Sequence, residues 1–312
     1  MNLLITGARC FIGSNLIAEL EAGKQHDLLA YDTDSDPQDL DRFCQTADFV
    51  IHLAGVNRPQ DPAEFMQGNF GLPSRLLCAL EAAGNRCPVL LASSIQALLD
   101  NPYGISKKAG EDLLFDYGLK NQAPVYVYRF PNVFDKWSRP HYNSAVATFC
   151  HNSARGLPIQ IHDPSSPLQL VYIDDVLAEI MRAIEGRPNQ IGPYCEVPVA
   201  FRTTVGRVAA LIESFRTCRS DRTLPDLSDA LTRHLYSTYL SFLPEDDFAY
   251  PLTMHQDVRG SFTEFVRTID RGQFSVNVAR PGVVKGNHWH HSKHEKFLAV
   301  SGHGVIRFRQ LG

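Results

Sequence analysis

The sequence predicts an α/β protein built on a parallel sheet and followed by a smaller all-β unit. Three observations carry that reading. Short, near-continuous apolar runs alternate with helix-like stretches through the first half of the chain, which implies βαβ crossovers and strands buried on both faces. A glycine-bearing turn, Thr6-Gly7-Ala8-Arg9-Cys10-Phe11-Ile12-Gly13, lies between the first apolar run and the first helix-like stretch. Beyond residue 244 the pattern changes to closely spaced, strand-like pieces punctuated by glycine, as antiparallel β structure requires.

Element by element, residues 3–5, 28–31, 49–53, 89–92 and 125–128 read as strands, and 11–22, 39–45, 62–83 and 103–117 as the helices between them. From about 143 to 240 amphipathic helices dominate, as at 174–184 and 204–215. After Pro244-Glu245-Asp246-Asp247 come strand-like pieces at 252–256, 261–266, 274–279, 283–285, 296–300 and 305–308. Turns at Arg259-Gly260, Arg271-Gly272, Pro281-Gly282 and Ser301-Gly302 separate them, which reads as a barrel or sandwich. The boundary falls near 243–251, giving domains over 1–243 and 244–312, in keeping with a 312-residue chain.

Composition narrows the function classes. An apolar fraction of 44% and a charged fraction of 21% are those of a globular chain. Thirty basic against 34 acidic residues leave a net charge of −4, so no broad attraction to nucleic acid or to a membrane surface is expected. No apolar run approaches the roughly 20 residues of a membrane helix, and the first residues read as a strand, not a signal segment. Seven scattered cysteines without a C-x-x-C pair indicate a reduced chain. The expectation is a soluble, cytoplasmic protein.

Gly7, Arg9, Cys10, Phe11, Ile12 and Gly13 form the candidate dinucleotide turn, where glycines admit a pyrophosphate and a helix N-terminus stabilises it. Cys10 stands where the middle glycine of such a turn belongs. Asp32 ends the second strand, where an acid can accept from ribose hydroxyls and so favour NAD, while Arg9 suits a 2′-phosphate; both cofactors stay open. Tyr103 and Lys107 lie four apart at the start of a helix and face the same way. A neighbouring ammonium stabilises a phenolate, letting tyrosine exchange a proton with a carbonyl oxygen while hydride moves. Ser93 and Ser94, at the end of the fourth strand, supply a hydroxyl to orient that oxygen.

These pieces, with His52-Leu53-Ala54-Gly55, Arg129-Phe130-Pro131-Asn132-Val133-Phe134 and Tyr172-Ile173-Asp174-Asp175-Val176, resemble the extended short-chain dehydrogenase/reductases that modify nucleotide sugars. The resemblance implies a Rossmann-like domain in which Ser94, Tyr103 and Lys107 are catalytic and Leu53, Ala54 and Gly55 line the cofactor. Ser94, Arg129 and Asn132 would meet the sugar nucleotide; for the last two, a strand-end hydrogen-bond network is the other reading. Ile95-Gln96-Ala97 follows Ser94, whereas the 4,6-dehydratase relatives carry an Asp-Glu pair there, so simple ketone reduction fits better.

Near the C-terminus, Gly282, His288-Trp289-His290, Glu295 and Gly302 fit the first metal motif of cupins. Two histidines on alternate strand residues share a face and a glutamate on the next strand completes the set, making His288, His290 and Glu295 candidate ligands; His291 and His294 read as solvated. Together with Asn57-Arg58-Pro59, Asp100-Asn101-Pro102-Tyr103-Gly104, Asp221-Arg222-Thr223-Leu224-Pro225, Tyr236-Ser237-Thr238-Tyr239-Leu240 and Lys285-Gly286-Asn287-His288, the chain resembles the bifunctional capsular-polysaccharide enzymes in which such a reductase is fused to a cupin. That family implies C3 epimerisation of a UDP-2-acetamido-2,6-dideoxy-4-hexulose by a zinc cupin. NADPH (with NADH possible) would then reduce C4 to UDP-2-acetamido-2,6-dideoxy-L-talose, en route to N-acetyl-L-fucosamine, in a homodimer. Three departures stand out: Cys10, Asp32, and the lack of a second cupin motif before Gly312. The last makes an incomplete barrel with impaired epimerisation the expectation. A non-catalytic NAD(P)-binding sensor or interaction protein, or another nucleotide-sugar epimerase, are the alternatives.

Overall fold

The computed structural model describes residues 1–268, 272–286, 288–307 and 309. Strands and helices alternate from the start: β1 (Asn2–Thr6), α1 (Phe11–Gly23), β2 (Asp27–Tyr31), α2 (Pro37–Thr46), β3 (Phe49–His52), α3 (Ala63–Met66), α4 (Leu72–Ala83), β4 (Val89–Ser94), α5 (Pro102–Asn121) and β5 (Val125–Phe130). Beyond these lie β6 (Asn132–Phe134), α6 (Ala145–Ala154), β7 (Pro167–Tyr172), α7 (Ile173–Ile184), β8 (Gln190–Ile191), β9 (Tyr194–Cys195), β10 (Phe201–Thr204), α8 (Val205–Ser220), β11 (Thr223–Leu224) and α9 (Ala230–Ser241). The main sheet runs β2-β1-β3-β4-β5-β9-β8, parallel from β2 to β9 and antiparallel only at β8. The chain leaves β1 toward β2 on one side and returns to β3 on the other. That reversal of direction opens a crevice at the carboxyl ends of β1 and β3, where α/β sheets bind ligands.

Why the strands read as unbroken apolar runs is clear from their two faces. Leu3 and Ile5 point into the core beneath α1 and α7, with Leu16, Leu20, Val176 and Ile180. Leu4 points into the opposite core beneath α2, α4 and α5, with Leu40, Leu76, Leu80 and Leu114. The helices start at side-chain caps: Asp36 for α2, Asn101 for α5, Ser144 for α6, Thr204 for α8 and Asp229 for α9. Each side chain satisfies an otherwise unpaired backbone donor of the first turn.

The continuous helix expected over 62–83 is interrupted. A π turn, Gln67–Gly71, joins α3 to α4. An extra residue in the turn rotates α4 relative to α3, and here it brings Asn69 into the interior, 4% exposed. Gly68 permits the close pass, because a Cβ there would sit 2.3 Å from Val56 Cγ2.

The chain divides into two compact units, Met1–Pro251 with Val266–Gln273, and Leu252–Phe265 with Phe274–Gly312. Strands β12 (Met254–Asp257), β13 (Gly260–Thr268) and β14 (Gln273–Ala279) form the regular structure near the C-terminus, with β12 and β13 antiparallel and β14 on β13. The strands expected at 283–285, 296–300 and 305–307 do not form; Phe308 and Arg271 lie outside the described residues. A strand is held by a neighbour that takes its N–H and C=O groups, and none pairs with these segments among the described residues. Leu298 and Val300 are accordingly 86% and 90% exposed. Among the described residues no helix is long and apolar enough to cross a membrane.

The two-sided sheet makes its centre sensitive to volume. Leu4→Ala, at a fully buried position on β1, should lower the free energy of unfolding by about 2–5 kcal/mol, read as a reduced urea midpoint with unchanged slope.

Candidate active site

The glycine turn comes directly after β1. Gly7 has φ +72°, and a Cβ there would lie 2.6 Å from the Ala54 nitrogen, so the turn and the Leu53-Ala54-Gly55 segment after β3 are in contact only because Gly7 lacks a side chain. Gly13 is equally constrained, since its Cβ would meet the Gly7 carbonyl at 2.2 Å. Cys10 caps α1: its Sγ accepts from the Gly13 N–H at 3.3 Å. Burial pushes the Cys10 thiol up, against hydrogen bonds from Gly13 and Ile12, so it meets any bound anion as a neutral S–H. Phe11 and Ile12 pack against the core at the start of α1.

Asp32, the candidate for the ribose, also holds the turn. Its Oδ2 accepts the Arg9 N–H at 2.8 Å and its Oδ1 the Thr33 N–H at 2.8 Å, bracing the turn. The Arg9 guanidinium reaches out to Asp34 at 2.7 Å.

Tyr103 and Lys107 occupy the first turns of α5. Lys107 is 8% exposed; its Nζ donates to the Ala92 carbonyl at 3.3 Å and lies 5.9 Å from the Tyr103 ring centre. Burial lowers its pKa to about 8, opposed by Cys10 once that thiol ionises and by the charge of Glu111. Tyr103 is half-buried and raised above the ordinary phenol value by that burial, with a hydrogen bond from Ser94 acting in the other direction. Ser94 Oγ itself accepts from the Gln96 N–H at 3.1 Å. Ser94, Tyr103, Lys107, Cys10 and Gly55 thus converge; a Cβ on Gly55 would lie 2.9 Å from Lys107 Nζ.

Arg129 and Asn132 make strand-end hydrogen bonds, the other reading given for these two residues. Arg129 donates to Glu111 through Nε at 2.9 Å and one terminal nitrogen at 2.5 Å, and to the Tyr194 hydroxyl at 2.6 Å. The physical reason is that Glu111 has no exposed surface, and a buried carboxylate demands a charged partner. Asn132 is exposed and its Nδ2 donates to the Gln169 carbonyl at 3.1 Å.

Several participants were missed by reading the sequence. Asn69 holds Val56 by both backbone groups, at 3.0 Å each, and donates to Ser106 Oγ at 3.0 Å. Ser106 in turn donates to the Tyr103 carbonyl at 2.7 Å. The only sequence signal for Asn69 was an asparagine inside a helical run, and the π turn that aims it inward is not legible from periodicity. His52 Nδ1 lies 2.6 Å from Thr6 Oγ1, and burial, reinforced by Lys107, drives its pKa down to about 3.

In the second unit, the ligand atoms of His288, His290 and Glu295 all lie within 4.8 Å of one another. The His288 and His290 rings are edge-to-face at 4.8 Å, and His290 Nε2 is 4.0 Å from Glu295 Oε1. Lys293 donates to that carboxylate at 2.6 Å and holds its pKa down. Two imidazoles and a carboxylate are a donor set zinc accepts, and a modest closing of the cluster brings all three to bonding distance.

Residues 3–193 match the NAD dependent epimerase/dehydratase family, and residues 255–312 the Polysaccharide biosynthesis C-terminal domain. The chain is 46% identical over 311 residues to a UDP-2-acetamido-2,6-beta-L-arabino-hexul-4-ose reductase of Pseudomonas aeruginosa, covering 100% of this chain and 83% of that protein. It is similar to the crystal structure of the capsular polysaccharide assembling protein CapF from Staphylococcus aureus, with a TM-score of 0.86 and 47% identity over 93% of this chain and 78% of that one. A UDP-glucuronic acid 4-epimerase from Bacillus cereus in complex with NAD shares the fold, at a TM-score of 0.66 and 20% identity over 78% of this chain and 96% of that one.

The buried His52 has a stability signature. Its pKa of about 3 in the folded chain lies below the usual 6.5, so the unfolded chain binds the extra proton between those values. The associated stability is present above pH 6.5 and is lost as pH falls toward 3. His52→Asn, which keeps a partner for Thr6, should flatten the fall of the denaturation midpoint across that window.

Proposed function

The chain belongs to the NAD dependent epimerase/dehydratase family, and we propose that it reduces the C4 ketone of a UDP-2-acetamido-2,6-dideoxy-4-hexulose. In this reading residues 1–243 are the reductase domain, the product is UDP-2-acetamido-2,6-dideoxy-L-talose, and the pathway is that of polysaccharide precursors containing N-acetyl-L-fucosamine. The observation that carries the proposal is the Tyr103–Lys107 pair, its lysine buried and Ser94 on its phenol, beside the glycine turn that follows β1. The relative of Pseudomonas aeruginosa, named as a 4-ulose reductase, supports the substrate class.

When bound, a nicotinamide cofactor would supply the hydride for C4. Gly7 and Gly13 in the turn, with the N-terminus of α1, would hold its diphosphate. NADPH is the proposed cofactor, with Arg9, whose guanidinium pairs with Asp34 on the surface, as the candidate for a 2′-phosphate; Asp32, which keeps free acceptor sites beside its bonds to Arg9 and Thr33, leaves NADH possible. Tyr103, raised by burial, is protonated at neutral pH and donates that proton to the developing C4 alkoxide. Lys107 stabilises the phenolate left behind. Ser94, its oxygen already occupied by the Gln96 N–H, directs its own proton to the substrate oxygen. Asn132, exposed at the end of the site, is the remaining candidate for sugar-nucleotide contact.

For residues 244–312 the proposal is part of a cupin in which His288, His290 and Glu295 hold zinc for C3 epimerisation, in a homodimer. Zinc supplies Lewis acidity when bound; Glu295 must then exchange the Lys293 ammonium for the ion.

Two outcomes test these assignments. With the 4-keto sugar already inverted at C3, the protein should oxidise one NADPH per sugar reduced, faster than NADH. Tyr103→Phe should lower kcat by about 10²–10⁴-fold with cofactor affinity within threefold. Formation of a 4-epimer without net cofactor consumption, or no turnover by a folded, cofactor-bound chain, would sink the reductase reading. Separately, calorimetric titration should register one zinc per chain, and His290→Ala should weaken it at least tenfold; equal zinc uptake by that variant would remove the metal site.

A further inference from the structure

Glu111, fully buried, and its partly exposed partner Arg129 are charges near the site that the proposed reduction does not use. Along α5, Tyr103, Lys107 and Glu111 recur every four residues and so share one helix face. Glu111 has no exposed surface. Its Oε1 accepts from Ser93 Oγ at 2.5 Å and from Arg129 Nε at 2.9 Å, and its Oε2 from a terminal Arg129 nitrogen at 2.5 Å and the Tyr194 hydroxyl at 3.4 Å. Ser93 and Arg129 are register partners on β4 and β5, and both side chains meet under α5. The residues on either side of Ser93 each touch the reacting groups. The Ala92 carbonyl accepts from Lys107, and the Ser94 hydroxyl bonds Tyr103.

An apolar pair of similar volume would pack a core at least as well as a buried ion pair, so packing alone does not account for this carboxylate. Resting on the reductase reading, we infer that Glu111 is a positioning residue for that site. Held by Arg129, it pins Ser93 so that Ala92 keeps its carbonyl on Lys107 and Ser94 keeps its hydroxyl on Tyr103. It is also the one anion facing Lys107 among the groups around it. Cys10 from the turn and His52 from β3 are both neutral near pH 7, and Tyr103 keeps its proton. Around Glu111 itself stand Arg129 from β5, Tyr194 from β9 and Lys108 from α5. Its charge therefore favours the ammonium of Lys107.

Glu111→Gln keeps the shape and an acceptor for Ser93 but removes the charge; Ser93→Ala keeps the charge and removes the lock. In the full chain without cofactor, the pH dependence of acetylation at Lys107 by acetic anhydride, followed by mass spectrometry, gives the Lys107 midpoint with no need of a sugar substrate. Glu111→Gln should lower that midpoint, move the basic limb of the kcat profile with it, and reduce kcat at pH 8 on the order of tenfold with both KM values within threefold. Ser93→Ala should reduce kcat similarly with the midpoint in place. Wild-type kcat and an unmoved midpoint in Glu111→Gln, whatever its melting temperature, would reduce the residue to a structural role. Should Glu111→Gln fail to fold, wild-type kcat in Ser93→Ala overturns the inference. A chain whose Lys107 midpoint moves in Glu111→Gln but which reduces no sugar sinks the reductase reading and leaves the positioning role standing.

Discussion

A buried ammonium governs this structure. Lys107 has almost no exposed surface, and a cation taken from water needs compensation on every side. The Ala92 carbonyl gives it one acceptor. Gly55 leaves it space, because a Cβ there would come within 2.9 Å of its nitrogen and of Asn69 Oδ1. His52, across the site on β3, is kept neutral by burial and by this same charge. Cys10 stays a thiol rather than a thiolate because its own burial outweighs the nearby cation. The glycine turn, the ends of β3 and β4, and the first turns of α5 are therefore fitted around one nitrogen. Keeping a lysine there, lowered to about 8, makes sense only where its charge is used.

What could be read in the sequence was whatever depends on local spacing. The two-faced strands of the parallel sheet, the strand–turn–helix context of Gly7 and Gly13, and the four-residue step from Tyr103 to Lys107 are all fixed by covalent proximity. Arg129 shows the limit. Its position at a strand end was legible, but its partner lies 18 residues earlier on a helix, and only the folded register of β4 and β5 brings Ser93, Glu111 and Arg129 together. Asn69 was hidden for another reason, since a π turn leaves no mark on hydrophobic periodicity. In the second unit the apolar run at 297–300 is plain in the sequence, yet a strand also needs a neighbour. Just before that run Glu295 lies within reach of His288 and His290, so the spacing of the three candidate ligands was legible where the strand was not.

The turn that replaces a glycine with Cys10 illustrates how a departure from pattern is absorbed. A side chain at that position would ordinarily crowd a pyrophosphate, but the thiol is folded back as the cap of α1. It takes up the Gly13 donor that serine or aspartate would hold in other helices, and it does so without adding charge. On the other flank, Asp32 ties down Arg9 and Thr33. The turn is thus held on both flanks by its own side chains, Cys10 at the start of α1 and Asp32 at the end of β2.

In the proposed reduction Ser94 stands beside the phenol. Gln96 donates its backbone N–H to the serine oxygen from the short turn that follows it. The serine also bonds Tyr103, whose phenol burial keeps protonated. The phenol then has a proton to give, and no carboxylate comes directly after Ser94 in the sequence to accept a proton from carbon. Such a site suits an oxygen that gains negative charge, which is what a ketone does on reduction. Removal of a carbon-bound proton would need a base where this chain has Ile95, Gln96 and Ala97.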